Sequence, residues 1–203
     1  PARRMLHAAA ATTLRQRRER GEHVGVRSIA QHVIAADAGI EPGVLDGYVR
    51  QAGDEALALG AWSEAARCYE ALLGARANGT TTAEERASLH RLAGLSRRSN
   101  LQLAQAVAHF EAAIDLVGPE ADAATLADLH LWRIRSGIGT KEMLEVVADR
   151  GPLEALVDEI EADHPELALS YSNLADIMRY TGRKAEAESF ARRALAPREK
   201  GLG

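Results

Sequence analysis

The sequence predicts an all-α protein whose antiparallel helix pairs stack into an α-α superhelix. Three observations carry this. Apolar residues make up 46% of the chain and aromatics only 4%. A core so rich in Ala and Leu suits close-packed helices, whereas sheets favour β-branched and aromatic residues. The six prolines mostly fall near the ends of helical stretches. Small residues also recur at a fixed interval, that from Gly53 to Gly94, within similar surroundings.

The clearest pair is Val44 to Ala75, VLDGYVRQAGDEALALGAWSEAARCYEALLGA, read as helices at about 44–59 and 61–75 joined tightly at Gly60. Gly53 lies seven positions before the joint. Ala65 and Ala66 stand beside Tyr69 and Leu72. Small residues belong where two helices cross, with large ones filling the gap beside them. Trp62 and Tyr69 are therefore expected to be largely buried.

Before this pair, residues 3–20 read as a helix ending in RQRRER and stopped by Gly21. A second helix, about 27–37, carries Ile29, Ala30, Val33 and Ile34 on one stripe, and the loop AGIEPG, Ala38 to Gly43, follows. After the pair comes the polar loop ARANGTTTAEE. Thr82 can cap the next helix, with Glu85 completing a capping box. That helix runs to about Ser99. Its partner, about 102–117, carries Ala106, Phe110 and Ala113 and ends at Gly118-Pro119. A further step of the same length reaches Arg135 in a helix at 121–136, where no small residue stands, so this repeat is degenerate. Helices are then expected at about 140–149 and, after Gly151-Pro152, to about Ala162. One more step, a single position shorter, reaches Ala175 in a helix at 166–181. Gly182 is its joint, and Ala187 and Ala194 sit in the last helix before Pro197. A step back from Gly53 reaches Thr12. Five units of this length, with ten or eleven helices in all, account for nearly the whole chain. The expected organisation is an N-terminal helical pair, 1–43, linking to an upstream module, and one continuous array, 44–203.

The formal net charge is −4, which argues against nucleic-acid binding by bulk charge. Residues 1–27 hold seven Arg and two Glu, a local +5, leaving −9 for the remainder. The single Cys68 cannot form an internal disulfide, which suits a reducing cytosol. No run approaches the roughly 18 apolar residues of a membrane span. A cytoplasmic location and no membrane association are expected. The chain opens on Pro1 and closes on Gly203 just after a helix; we expect a piece of something longer.

These residues resemble tetratricopeptide (TPR) repeats. The likeness is specific over Asp46–Pro119, good over Ala168–Pro197 and weak in 1–43 and 121–164. The interval exceeds the usual TPR period of about 34 residues. Longer repeats of this type resemble the helical sensor arrays of large bacterial ATP-dependent regulators, including LuxR-type transcription activators and related multidomain ATPases and nucleotide cyclases. The opening basic helix, the short helix SIAQHVIAADAG and then AGDEALALGAWSEAARCYEALL are similar to the segment that links motor to array there. The resemblance implies a regulatory role: binding a protein, peptide or small effector and controlling a neighbouring module. The alternative is a free-standing TPR adaptor for an acidic peptide. No ATPase motif and no DNA-binding helix-turn-helix is recognisable in the sequence, so ATP or DNA chemistry would lie outside this chain.

No constellation in the sequence points to catalysis, a cofactor or a metal. Gly137-Ile138-Gly139-Thr140-Lys141 lacks phosphate-loop spacing and follows a helix, so it reads as a turn. The seven His form no H-E-x-x-H and no zinc-spaced cluster; His90 and His130 read as packing or surface residues. Cys68 reads as a small buried hydrophobe. No G-x-S-x-G occurs. Glu84-Glu85 and Asp158-Glu159-Glu161 read as solvated faces, and Asn78-Gly79-Thr80 as a turn. The run Arg15, Arg17, Arg18, Arg20 could touch phosphates. Without interleaved aromatics, and with Glu22 following, it suits a domain contact or a solvated helix end better.

The remaining candidate is the inner surface. The resemblance places the first helix of each unit on the concave face. By register with Gly53, Gly94 and Ala175, the inward positions are Arg50, Asp54, Arg91, Arg98, Asn173, Asp176 and Arg179. Several Arg in one groove suit an acidic peptide or anion. The competing reading is that they pair with Asp54 and Asp176 and serve solubility. Asp54 stands where a carboxylate clamp of the TPR type would want Asn, which disfavours a chaperone-tail receptor.

Overall fold

The computed structural model of the chain describes residues 2–36, 46–75, 81–137, 140, 151, 152, 155 and 167–200. Among the described residues there are nine helices and no strand: α1 (Ala2–Glu19), α2 (Val26–Ala36), α3 (Asp46–Ala58), α4 (Trp62–Ala75), α5 (Ala83–Ser99), α6 (Leu103–Val117), α7 (Ala123–Gly137), α8 (Leu167–Tyr180) and α9 (Lys184–Lys200). The loop Ala38 to Gly43, the turn at Asn78 and the acidic face at Asp158 lie outside the described residues. So do all but isolated positions of the helices expected at about 140–149 and up to Ala162. The chain forms two compact units, Pro1–Gln102 and Leu103–Gly203. Among the described residues no helix is long and apolar enough to cross a membrane.

The joints explain the pairing. After α1, α3 and α8 the chain reverses through one residue in the left-handed region, Gly21 (φ 86°), Gly60 (72°) and Gly182 (76°), and α5 is followed by Leu101 (59°) in the same conformation. Each joint closes with the same two backbone bonds. Around Gly60, its own N–H donates to Leu57 and that of Ala61 to Ala56. Around Leu101 and Gln102 the acceptors are Arg98 and Arg97. Gly182 and Arg183 donate to Arg179 and Met178, and Gly21 and Glu22 to Arg18 and Arg17. This is the double closure that satisfies orphan carbonyls at a helix end. Glycine takes the conformation without steric cost; Leu101 takes it against its Cβ.

The N-termini are capped as their residues dictate. Thr82 Oγ1 accepts from the Glu85 N–H at 3.1 Å, and Glu85 Oε2 accepts from the Thr82 N–H at 3.3 Å. At α7, Asp122 Oδ1 accepts from the Thr125 N–H at 2.9 Å, and its bonds with Thr125 hold the Asp122 carboxyl below the usual range.

In the first unit, Val26 and Ala30 of α2 share a core with Val49, Ala52 and Ala56 of α3, Ala65, Tyr69 and Leu72 of α4, and Leu89 and Ala93 of α5. Gly53 stands at the α3–α4 crossing, where a Cβ would lie 3.0 Å from Tyr69 Cε1 and 3.1 Å from Cys68 Cβ. Tyr69 is fully buried there; a buried side chain of this size contributes about 2 kcal/mol. Gly94 is buried at the matching place in α5. The second unit has its own core of Ala127, Leu131, Ile134, Tyr171, Leu174, Ile177 and Ala194.

Three expectations need correction, whereas Trp62 is largely buried without being fully enclosed. As the first residue of α4 it covers the Gly60 turn, its ring 3.6 Å from where a Cβ would stand. The constant step fails in the first pair, because Gly21 and Gly60 stand closer together in sequence than Gly60 and Leu101. Thr12 is exposed, its hydroxyl donating back to the Ala8 carbonyl, and Ala11 is the buried small residue of α1. In α7 the buried small residues are Ala127, Ser136 and Gly137, the last two just past Arg135, which lies with its guanidinium 5.3 Å from the Trp132 ring centroid. Finally, α9 runs through Pro197 to Lys200. Proline there removes one donor, the one that would reach the Arg193 carbonyl, within the last two turns of the helix.

Candidate functional site

Four of the seven inward candidates lie in the first unit and three in the second. On α3, Arg50 Nε lies 3.5 Å from Asp54 Oδ1, one helical turn away. The same oxygen accepts the Tyr69 hydroxyl at 2.8 Å, and the Arg50 guanidinium lies 5.9 Å from the Tyr69 ring centroid. Burial, then the bond to Asp54, pushes the Tyr69 hydroxyl well above the ordinary phenol range. Asp54 thus anchors the aromatic that fills the α3–α4 gap, and Arg50 balances its charge. On α5, Arg91 and Arg98 are half-buried and both make contacts of their own. In the second unit, Asn173 lies on α8, and Asp176 Oδ1 accepts from Arg179 Nη1 at 2.7 Å. The structure therefore brings together Arg50 with Asp54 and Asp176 with Arg179.

Other polar residues act between helices, and sequence reasoning missed them. Arg27 of α2 pairs with Glu64 of α4. Arg97 of α5 grips Glu70 of α4 through two bonds, Nε to Oε1 at 2.6 Å and Nη2 to Oε2 at 2.5 Å, and donates from Nη1 to Gln102 at 2.6 Å. The bonds to Glu70 raise the Arg97 pKa. Arg133 of α7, nearly buried, lies 3.6 Å from Glu111 of α6. Glu70 and Glu111 are separated by the same interval as Gly53 and Gly94. Their recurrence was a visible signal for a repeated link from one pair to the next helix.

Cys68 is buried in the first core, and its thiol is pushed up to about 11, by burial first and then by the charge of Glu64. It is a packing residue, as expected, since a thiol held protonated is a poor nucleophile. Among the described residues no group of three or more His, Cys, Asp or Glu could hold a metal. The Arg15–Arg20 run is tied locally: Arg15 to Glu19, Arg17 and Arg20 to Glu22, and Arg18 Nη1 to the Val24 carbonyl at 2.6 Å. Thr140 donates its N–H to the Gly137 carbonyl at 2.9 Å, as a turn requires.

A groove of about 310 Å³ opens between α8 and α9, lined by Ser172, Ala175, Asp176, Arg179, Ala191, Ala194 and Leu195. Asp176 and Arg179 belonged to the inward set; the residues from α9 did not.

Neither a protein-family model nor a curated protein sequence matches the chain. Solved structures do. The nearly identical TPR-like repeats of a kinesin light chain from Podospora anserina match at a TM-score of 0.66, with 17% identity over 95% of each chain. A single-substitution variant of those repeats matches at 0.67, with 17% identity over 96% of this chain and 95% of that one. BtubC (BKLC) from P. vanneervenii matches at 0.69, with 14% identity over 100% of this chain and 92% of that one. At such identities the likeness is one of architecture, and it agrees with the repeated helix ends and the small-residue crossing at Gly53: this chain has a TPR-like helical-repeat fold.

Proposed function

We propose that this chain is a protein-interaction and sensor segment of a bacterial multidomain signalling or transcription regulator, acting in the cytoplasm by binding a protein, a peptide or a small effector and not by turnover. The observation that supports it best is the TPR-like fold, whose first helices carry the residues that we assign to a polar stripe: Arg50 and Asp54 on α3, Arg91 and Arg98 on α5, Asn173, Asp176 and Arg179 on α8. Stacked repeats align such stripes into binding surfaces. The regulator context rests on the likeness of the opening residues and of the long interval to the sensor arrays of LuxR-type activators. No nucleic-acid or membrane contact is assigned to this segment.

The pairing of Arg50 with Asp54 refines the expected chemistry. An acidic peptide would compete with Asp54 for Arg50, so its affinity should be modest and salt-sensitive. The test is to change Arg50, Arg91 and Arg98 to Ala together and titrate a poly-Glu peptide at low and moderate salt. Affinity unchanged in the folded triple variant would remove the acidic-ligand reading. Sequencing the gene upstream of Pro1 tests the context: an ATPase there supports the regulator, and a start codon supports a free-standing adaptor.

A further inference from the structure

The α3–α4 and α8–α9 pairs coincide in sequence register when Gly60 is laid on Gly182. The helix ends Ala58 and Tyr180 then match, and so do the helix starts Trp62 and Lys184. The joint bonds repeat in the same register: Ala61 to Ala56 and Arg183 to Met178, Ala65 to Ala61 and Ala187 to Arg183. The register therefore assigns equivalent positions residue by residue. Gly53 becomes Ala175, Asp54 becomes Asp176, Leu72 becomes Ala194 and Tyr69 becomes Ala191.

The last exchange changes the surface. In the first pair a phenol fills the gap, fully buried, with its hydroxyl on Asp54. One interval on, Phe110 stands at the same place in α6 and is also fully buried. In α9 position 191 is Ala; the helix's own aromatic, Phe190, stands one residue earlier and stacks on Tyr171 of α8, and a groove opens beside Asp176, Arg179 and Leu195. Its volume, about 310 Å³, lies at the lower end of the range for ligand pockets. The carboxylate that receives the phenol in the first pair is retained as Asp176, held by Arg179 at 2.7 Å.

We propose that this groove recognises a phenolic side chain, a tyrosine presented by a segment of a partner protein. The inference rests on the reading of the chain as a protein-interaction segment and names what one of its sites takes. The complementarity has two parts. Asp176 offers an acceptor to the hydroxyl at the rim, as Asp54 does for Tyr69. Ala191, Ala194 and Leu195 offer an apolar wall to the ring. The floor favours a ring from outside over one built into the chain. A Cβ at Gly53 would stand 3.0 Å from the Tyr69 ring, and Ala175 carries that Cβ. A ring fixed to position 191 would be crowded by it, whereas an incoming ring is free to sit further out.

The experiment uses the full chain with p-cresol, the tyrosine side-chain analogue, and toluene, the phenylalanine analogue, followed by amide chemical shifts. Saturable shifts at Ala191, Ala194 and Leu195 are expected, with p-cresol about fivefold tighter than toluene for its one hydrogen bond. Asp176→Ala should erase that preference. Ala191→Leu, which fills the groove, should abolish binding of both. No saturable shift there, or equal affinity for the two compounds in the unaltered chain, would overturn the proposal. The poly-Glu titration reads different residues, so failure of one test does not entail failure of the other.

Discussion

Replacing Gly53 by Ala sets two effects of known sign against each other. Exchange of Gly for Ala inside an exposed helix stabilises by about 1 kcal/mol, because glycine surrenders more backbone freedom. At Gly53 the added methyl has no room. Its carbon would lie 3.0 and 3.3 Å from two Tyr69 ring carbons and 3.1 Å from Cys68 Cβ. Cys68 Cβ is fixed to the backbone of α4, and the Tyr69 ring is held at its far end by Asp54 at 2.8 Å. Neither neighbour yields without moving α4. Overpacking of this kind costs about 1–3 kcal/mol. Taking about 2 kcal/mol for the clash, the net expectation is a loss of about 1 kcal/mol, read by urea denaturation followed by circular dichroism. Gly53→Leu should lose more, about 3 kcal/mol. Tyr69→Phe releases the ring from Asp54, so the Gly53→Ala loss should be smaller in that background, with a coupling of about 0.5 kcal/mol or more. A Gly53→Ala variant stabilised by about 1 kcal/mol would mean that propensity acts alone and that the crossing is not tight.

Leu101→Gly should stabilise the first unit by about 0.5–1 kcal/mol: it relieves a left-handed φ of 59°, and the side chain given up is 85% exposed. An unchanged or lower urea midpoint would show that the joint is not strained. Glu70→Gln should cost about 1–2 kcal/mol, since it leaves Arg97, whose side chain is 15% exposed, with a neutral partner in place of a carboxylate. A loss no larger than for the exposed pair partner Glu19→Gln would refute the link as a structural element. Alkaline pH should loosen the first unit. Cys68 holds its proton to about 11 when folded against 9.0 otherwise, and Tyr69 is shifted in the same direction. Their contribution is therefore complete below pH 9 and falls as pH rises toward 11. Cys68→Ala should flatten the loss measured across that window.

The fold was legible because its determinants are local and repeated. Gly21, Gly60 and Gly182 announce the reversals, and Thr82 with Glu85 announces a helix start. The small residue seven positions before a joint reveals the crossing at Gly53 before Gly60, and Gly94 at the same interval before Leu101 is buried as well. What a constant interval could not supply was register where the interval itself changes. The spacing between Gly21 and Gly60 is shorter than that between Gly60 and Leu101, and the buried small residue of α1 is Ala11, not Thr12; α7 buries Ala127, Ser136 and Gly137 as its small residues and leaves Arg135 half-buried. The break at Leu101 was legible from the helix limits on either side, but its left-handed conformation was not, because leucine, unlike glycine, does not announce it.

The candidate surface was harder to read, because charge alone does not say where a charge is spent. Arg50 and Asp54 were both placed on the same stripe of α3, yet the partner that gives Asp54 its role, Tyr69, comes from the next helix. The stripe is thus part packing and part surface. The same logic separates the two units chemically. Where position 69 carries a phenol, the carboxylate is occupied from within. Where position 191 carries only a methyl, the equivalent carboxylate, Asp176, faces an open groove and is met by Arg179 alone among the contacts described for it. A search for sites in such repeats should therefore compare equivalent positions for the loss of a gap-filling ring beside a retained acceptor. In a stacked array most polar residues recur as structure, and the informative ones are those whose internal partner has been removed.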